Sequence, residues 1–383
     1  MLMKILVCNP GSTSLKFRLS EEPEGRVIAG GKIGRVGSEN AEYSFFMGGK
    51  QDAGTRPVTS YVQGISLFLA FIGGAETADA AAFKTVLAKG VSGVVMIDER
   101  VKDAMRAYLA AAPVHNTAYL SAIEAFEEIA PGKPLIGCFE TAFHETIPPE
   151  RYLYSVPYEW YETYGIRRMG FHGASHEGVA AATKGFKRVI SCHLGGSGSI
   201  CAILDGKSVD TSFGFSLQAG LPHVDRCGDI DPYIEHFLLS EGVSEEAFMR
   251  GIEKNGGLKG ISGLSGDMRD LREAAAKGHA RAKLAIGVYV TQIVRYIGAF
   301  AAELGGIDAL AFTGGIGEND ADTRSEVCAS LGYLGIHLNE SANRACASRI
   351  EEEGSVPVFV VKADEEATVA AKAWKFLAKS KKL

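Results

Sequence analysis

A chain of 383 residues is longer than one hydrophobic core usually fills, so two domains are expected. With 46% hydrophobic and 22% charged residues the composition is that of a folded protein, and a net charge of −6 excludes a general affinity for nucleic acid or anionic lipid. Seven scattered cysteines without a CxxC pair exclude a disulfide framework and a structural zinc site, and point to a reducing cytoplasm.

Lys4 to Leu19 (KILVCNPGSTSLKFRL) reads as a β-hairpin: an apolar run, a Gly/Ser turn and an alternating run. The first run breaks at Asn9-Pro10-Gly11, too early for a signal peptide. A polar, glycine-containing region continues to about residue 60, and helices follow around Tyr61–Phe71, Val101–Leu109 and Asn116–Ile129. Pro148, Pro149 and Pro157 mark a break. Beyond it, Arg188 to Leu204 (RVISCHLGGSGSICAIL) repeats the plan of the first hairpin, which suggests a duplicated domain. Helices are expected at Ile230–Leu239, Glu245–Lys254 and Met268–Phe300. The most apolar stretch, Leu284 to Leu304, carries Gln292, Arg295 and Glu303 and reads as a buried helix, not a membrane span. Ala309–Thr313 reads as a buried strand running into GGIGEN, and Val356–Lys362 as another. From Asp364 a last helix is acidic first, with Lys372, Lys375, Lys379 and Lys381 later, the order that complements a helix dipole.

Five segments carry chemistry. The turn Asn9-Pro10-Gly11-Ser12-Thr13-Ser14 with Lys16 is either a tight turn beside a surface lysine or a cradle of backbone N–H groups for an oxyanion. His193-Leu194-Gly195-Gly196-Ser197-Gly198-Ser199 poses the same choice, and its repetition of the first turn favours the cradle. Thr313 to Asn319 (TGGIGEN) follows a strand and opens a helix, where three glycines permit close approach to a phosphate; neither the Rossmann nor the P-loop pattern is met. In GFHGASH, His172 and His176 lie four residues apart, but the glycines oppose a regular helix through the first. Asp225 to Pro232 (DRCGDIDP) is either a salt-bridged loop or an arginine aimed at a carboxylate or phosphate.

Taken in order, NPGSTSLK, APVHN, TAFHETIP, GFHGASHE, HLGGSGSICAI, GKSVDTSFGF, RCGDIDP, FTGGIGEN and the late DEE resemble the acetate kinase family, of the superfamily of sugar kinases, heat-shock chaperones and actin. The resemblance implies an α/β fold of two duplicated actin-like (ribonuclease H-like) domains with an interdomain cleft, residues 1–147 plus 368–383 forming one and 148–367 the nucleotide-binding other. It implies ATP-dependent phosphorylation of a short-chain carboxylate, acetate first, with propionate or butyrate as alternatives, or a nucleotide-binding member that has lost catalysis. Mg²⁺, ATP, a carboxylic acid and a homodimeric, cytoplasmic state come with it.

By position the family's catalytic roles fall on His172, Arg226 and Glu140, with His176 as the second histidine of its motif. The acid's pocket falls on Val114, Phe171, Leu217 and Arg226. Nucleotide and phosphate contacts fall on Asn9, Ser12, Ser14, Lys16, His193, Gly195, Gly196, Ser197, Gly198, Asp267, Met268, Arg269, Gly314, Gly315, Ile316, Gly317 and Asn319, and metal contacts on Asn9 and Glu365. The sequence departs from the family at Glu140, Gly196 and Leu217, which stand where the family has aspartate, asparagine and proline. The family's HRVVHGG segment, source of a second arginine, is missing, and Lys89 in LAKGVSG is set in its place, a point charge where the family has a bidentate fork.

Overall fold

The computed structural model describes residues 1–11 and 13–380. The chain divides into two compact units: Met1–Ala142 together with the segment from Asp364 on, and Phe143–Ala363.

The first unit is built on strands Met3–Gly11 (β1), Ser14–Glu22 (β2), Arg26–Gly34 (β3), Ser38–Met47 (β4), Lys50–Val58 (β5), Ala80–Phe83 (β6), Val94–Met96 (β7) and Leu135–Cys138 (β8), in the order β5-β4-β3-β2-β1-β6-β8-β7. β1 to β5 form an antiparallel meander, β6 and β8 run parallel to β1, and β7 closes the edge antiparallel to β8. β1 is apolar on both faces because both are covered. Met3, Ile5 and Val7 meet Val369, Ala370, Ala373 and Leu377 of the C-terminal helix, Glu365–Ser380. On the opposite face, Phe17 of β2 stacks on Phe68 at 4.3 Å and Phe45 meets Phe68 edge-on at 5.2 Å. Phe68 belongs to α1 (Tyr61–Phe71), whose cap Ser60 accepts from the Gln63 N–H. α2 (Glu99–Ala107) starts at its cap Asp98, and α3 (Pro113–Ile129) starts on a proline, where a missing N–H costs nothing.

The region up to residue 60 is therefore not irregular, as its composition suggests, but three strands. β5 is exposed along nearly its whole length and no apolar alternation marks it, whereas β4 alternates from Ala41 on, with Ala41 and Phe45 buried and Glu42, Ser44 and Phe46 exposed. The helix expected at Tyr61–Phe71 has those bounds, while those expected from Val101 and Asn116 begin two and three residues earlier, at Glu99 and Pro113.

The second unit has Arg188–Leu194 (β9), Gly198–Leu204 (β10), Lys207–Thr211 (β11), Ala309–Thr313 (β12) and Val358–Val360 (β13), in the order β11-β10-β9-β12-β13. β9 to β11 are antiparallel, and β12 and β13 run parallel to β9. This repeats the pattern of β3-β2-β1-β6-β8. One face of the sheet is covered by α4 (Gly173–Ala182), through Val179 on Val189, Cys201, Ile203, Ala309 and Ala311. The other is covered by a long helix.

The expected helix Met268–Phe300 is in fact two, α5 (Met268–Ala276) and α6 (Ala280–Leu304). Gly278 takes a φ of +89° and the His279 side chain caps α6 by accepting from the Ala282 N–H, so the chain restarts after a turn that the apolar pattern conceals. By length and composition α6 would cross a membrane. Its stripe Ala282, Ile286, Tyr289, Ile293 and Ile297 instead packs on Ile190, Cys192, Ile200 and Ala202. Helix Tyr233–Ser240 starts after Pro232, three residues later than expected, and the expected strand at 356–362 shortens to β13.

Candidate active site

In the second unit a cavity of about 640 Å³ gathers three of the segments singled out above: Gly195 and Gly196 of the β9–β10 turn, Asp267, Met268 and Arg269 at the start of α5, and Gly315, Ile316 and Asn319 of the helix Gly314–Asn319 (α7). Val224, Arg272 and Asp320 complete the lining. Gly314 takes a φ of +77°, and a Cβ there would lie 2.7 Å from the Leu194 carbonyl, so only glycine lets α7 start against β9. A Cβ on Gly315, by contrast, would meet nothing within 4 Å. That open backbone at a helix start suits a phosphate-bearing ligand. The Ser197 hydroxyl oxygen is buried in the same turn without a hydrogen-bond partner. Asp267 caps α5 and binds Arg269 through both oxygens at 3.0 and 2.6 Å; these hydrogen bonds hold its carboxyl down to about 2. The Arg269 side chain is 90% exposed.

Next to the β9–β10 turn, the end of α4 and the strands carry a polar cluster. His172 is the N-terminal cap of α4 with a φ of +57°, a left-handed conformation that only a well-supported residue keeps, while His176 sits within the helix. His172 Nδ1 lies 2.9 Å from Ser199 Oγ, and the His172 and His193 rings stack at 4.1 Å. His193 Nδ1 lies 2.7 Å from Ser175 Oγ. The fully buried His176 sits between Ser191 and Ser199, and burial, followed by His144 and His193, holds its pKa well below the usual histidine range. His144 binds Ser208 and the Phe171 carbonyl, both at 2.9 Å. His223 Nδ1 accepts from the Gly198 N–H at 3.1 Å, and burial, then Arg226, lowers its pKa strongly.

Arg226 donates from Nη1 to the Leu217 carbonyl at 2.7 Å, which brings two residues of the expected acid pocket together. Burial lowers its guanidinium pKa, with Asp225 working against that. The loop is held by Cys227 N–H on the Ile252 carbonyl and by Asp229, which accepts from the Gly220 N–H and the Tyr296 hydroxyl. Phe171 is buried edge-on to Phe213 at 5.3 Å.

In the first unit the late DEE segment is fully engaged. Arg18 donates to both oxygens of Asp364, Lys84 Nζ lies 2.7 Å from Glu365 Oε2, and Asn9 Nδ2 donates to Glu366 Oε1 at 2.9 Å. The Tyr119 hydroxyl donates to Asn9 Oδ1 at 3.1 Å. Lys84 and Glu365 are only 15% and 16% exposed. Burial alone would lower the Lys84 pKa, but Glu365, Glu140 and Tyr119 raise it well above the usual lysine range. Glu140 is buried, Lys16 is exposed opposite Asn9 in the β1–β2 register, and Ser14 opens β2. Ser12 lies outside the described residues. Lys89 is exposed in the turn between Ala88 and Val91, and Val114, in the first turn of α3, is 46% exposed.

Sequence reasoning gave no role to Lys84, Tyr119, Glu366, His144, His223, Ser191 or Ser208. The one readable signal was Lys84 itself, a lysine immediately after the apolar run Ala80–Phe83. Among the described residues no group of three or more His, Cys, Asp or Glu could hold a metal ion by itself.

The profile of the Acetokinase family matches residues 4–371. The chain is similar to the acetate kinase of Clostridium botulinum (strain 657 / Type Ba4), 39% identical over 388 residues that cover 96% of this chain and 98% of that one. Among solved structures it is similar to Porphyromonas gingivalis acetate kinase (TM-score 0.88, 34% identity, 98% and 100% of the two chains). It is also similar to a propionate kinase from Francisella tularensis subsp. tularensis SCHU S4 (TM-score 0.91, 31% identity, 97% and 99%). With a match running over nearly its whole length, the chain belongs to the Acetokinase family.

Proposed function

We propose that the protein transfers the γ-phosphoryl group of ATP directly to a short-chain carboxylate, acetate first, releasing ADP and an acyl phosphate. A carboxylate oxygen attacks the γ-phosphorus as the bond to the ADP oxygen breaks. The acid is already ionised at neutral pH, so no general base is needed. What the reaction requires is alignment and neutralisation of charge. The observation that carries the reading is the cavity in which three separate segments, from the β9–β10 turn, the start of α5 and α7, converge with glycine backbone exposed.

In this reading the adenosine and its phosphates lie against Gly195, Gly196, Ile316 and the start of α5. His172 and Arg226 stabilise the transferring group, and Phe171 and Leu217 line the acid's pocket in the second unit. Glu140 orients its neighbours; Lys84, which the structure buries against Glu365, is a stronger candidate than the exposed Lys89 for a fixed cation. The oxygen donors Asn9, Glu365 and Glu366 suit Mg²⁺, which keeps several waters and needs only one or two carboxylates when a nucleotide carries it. When bound, the ion would neutralise phosphate charge.

The test is acyl phosphate, trapped as its hydroxamate, formed from ATP, Mg²⁺ and a panel of two- to four-carbon acids. Turnover highest with acetate supports the reading. Turnover highest with propionate favours the second reading, which the likeness to the Francisella propionate kinase supports. ATP binding without any acyl phosphate would leave a nucleotide-binding member that has lost catalysis.

We further infer that the two units are duplicated actin-like domains, a reading supported by the shared strand order. A homodimer is expected, and helix Tyr233–Ser240, whose Tyr233, Ile234 and Phe237 are exposed, offers an apolar face for it. A mass by light scattering of one chain would reject that. Seven free thiols suit a reducing cytoplasm.

A further inference from the structure

The polar cluster at the end of the second sheet holds more order than a set of buried side chains needs. Ser191, His193 and Ser199 project from the face that is otherwise apolar and covered by α4, since Ser199 pairs with His193 and Cys201 with Ser191 in the β9–β10 register. Ser191 and Ser199 are fully buried, as is His176 between them. The contacts run in one line: Ser191 Oγ to His176 Nδ1 at 2.8 Å, His176 Nε2 to Ser199 Oγ at 2.8 Å, and Ser199 Oγ to His172 Nδ1 at 2.9 Å.

Proton counting reduces this line to two arrangements. His176 is neutral, because burial and then His144 and His193 disfavour its charge, so it carries one N–H and one lone pair. Each hydroxyl has one proton to donate. If Ser191 donates to His176 Nδ1, then His176 Nε2–H donates to Ser199, and Ser199 donates to His172 Nδ1. Every donor is then used. In the reverse arrangement, His172 Nδ1–H donates to Ser199, Ser199 to His176 Nε2, and His176 Nδ1–H to Ser191. The Ser191 proton is then left in a buried place where, among the described residues, the serine has no other partner. An unmet buried donor is expensive, so the first arrangement holds.

We propose that Ser191, His176 and Ser199 are positioning residues that fix the proton of His172 on Nε2, so that His172 offers an N–H from its outer nitrogen while neutral. A second proton on His172 would have to sit on Nδ1, turn the Ser199 hydroxyl around and reverse the whole line. Among the contacts of His172 within its own unit are Ser199, the tilted ring of His193 and the edge of Phe213, while His144 packs on His176. The role of this N–H in turnover rests on the phosphotransfer reading; the position of the proton does not.

The test uses isotope-labelled histidine in the intact protein and the ring-nitrogen NMR shifts of His172, at about pH 8, above the usual histidine range. The expected wild-type pattern is protonated Nε2 and bare Nδ1. Ser199→Ala should lose that pattern and lower kcat by roughly tenfold to a hundredfold while KM for ATP changes less than about twofold. Ser199→Thr, which keeps the hydroxyl, should retain both the pattern and most of kcat. A His172 protonated on Nδ1 in the wild type, or a pattern unchanged in Ser199→Ala, overturns the proposal. Should Ser199→Ala fail to fold, the wild-type spectrum decides. If the pattern is as expected but the wild type makes no acyl phosphate, the functional reading falls and the proton assignment stands.

Discussion

The β1–β2 turn and the β9–β10 turn occupy the same position in sheets of the same strand order, yet they are dressed oppositely. Around the first, side chains dominate: Asn9 is held by Tyr119 and Glu366, and Lys84 by Glu365. Around the second, Gly195, Gly196 and Gly315 bring bare backbone into the lining beside Arg269, Arg272 and Asp320, and the cap Asp267 and Gly314, the first residue of α7, shape the main chain. Charge held on side chains can neutralise and orient a reacting group, but costs desolvation and must be paired. Bare backbone allows a ligand's phosphates to approach closely, but offers no charge of its own. A turn specialised for one task is poorly suited to the other.

If this division holds, the largest effect should come from unpairing the first turn. Lys84→Ala leaves Glu365 buried without its cation, and should destabilise the protein by about 3–5 kcal/mol in chemical denaturation, besides abolishing turnover. A loss under about 1 kcal/mol would mean that the pair is solvated and the contrast overstated. Arg226, like His172, is an exception in the second unit, a side chain at work amid backbone. Arg226→Ala should lower kcat about 10²–10³-fold and leave ATP affinity nearly unchanged; weakened ATP binding at constant kcat would move it to the nucleotide site.

Two neighbouring glycines separate shape from space. Gly314→Ala should cost about 1–3 kcal/mol of stability, because φ is +77° there and the Leu194 carbonyl stands in the way. Gly315→Ala should leave stability alone and weaken ATP binding, since its methyl enters open cavity; equal stability losses in the two variants would refute the backbone argument.

The smallest effect lies away from both turns. Burial first, then the hydrogen-bonded Asp210, raises the Glu303 carboxyl from 4.5 to about 7. The folded protein therefore holds a proton that the unfolded chain releases, so stability falls as pH rises from 4.5 through about 7, then levels off. Glu303→Gln should flatten that slope in denaturation curves taken across the window.

What the sequence revealed follows from what each feature depends on. Hairpins, glycine turns and the strand before TGGIGEN announce themselves in consecutive residues, and each of the three cavity segments is legible on its own, without the convergence that the fold gives them. The exposed strand β5 has no apolar alternation to betray it, and the break at Gly278 hides between two helices whose apolar stripes read as one. Lys84 and Glu365 are 281 residues apart, and Ser199 meets two histidines only because a helix covers one particular sheet face. No spacing rule reaches that far. Local alignment points to Lys89, which is exposed, whereas the part-buried pair of Lys84 with Glu365, five residues upstream of it, leaves no mark in the alignment.

The C-terminal helix has a consequence for the order in which the protein is made. Phe143–Ala363 is continuous and has all its strands once residue 360 has left the ribosome. The first unit does not. Met3, Ile5 and Val7 face a helix that is synthesised after both sheets, and until Glu365 and Glu366 emerge, Lys84 and Asn9 lack these two carboxylates. During translation β1 thus waits for its cover until both sheets have been made, with an apolar face available to chaperones or to a neighbouring nascent chain, and truncation before Glu365 should yield a protein whose second unit folds while its first remains open to proteolysis.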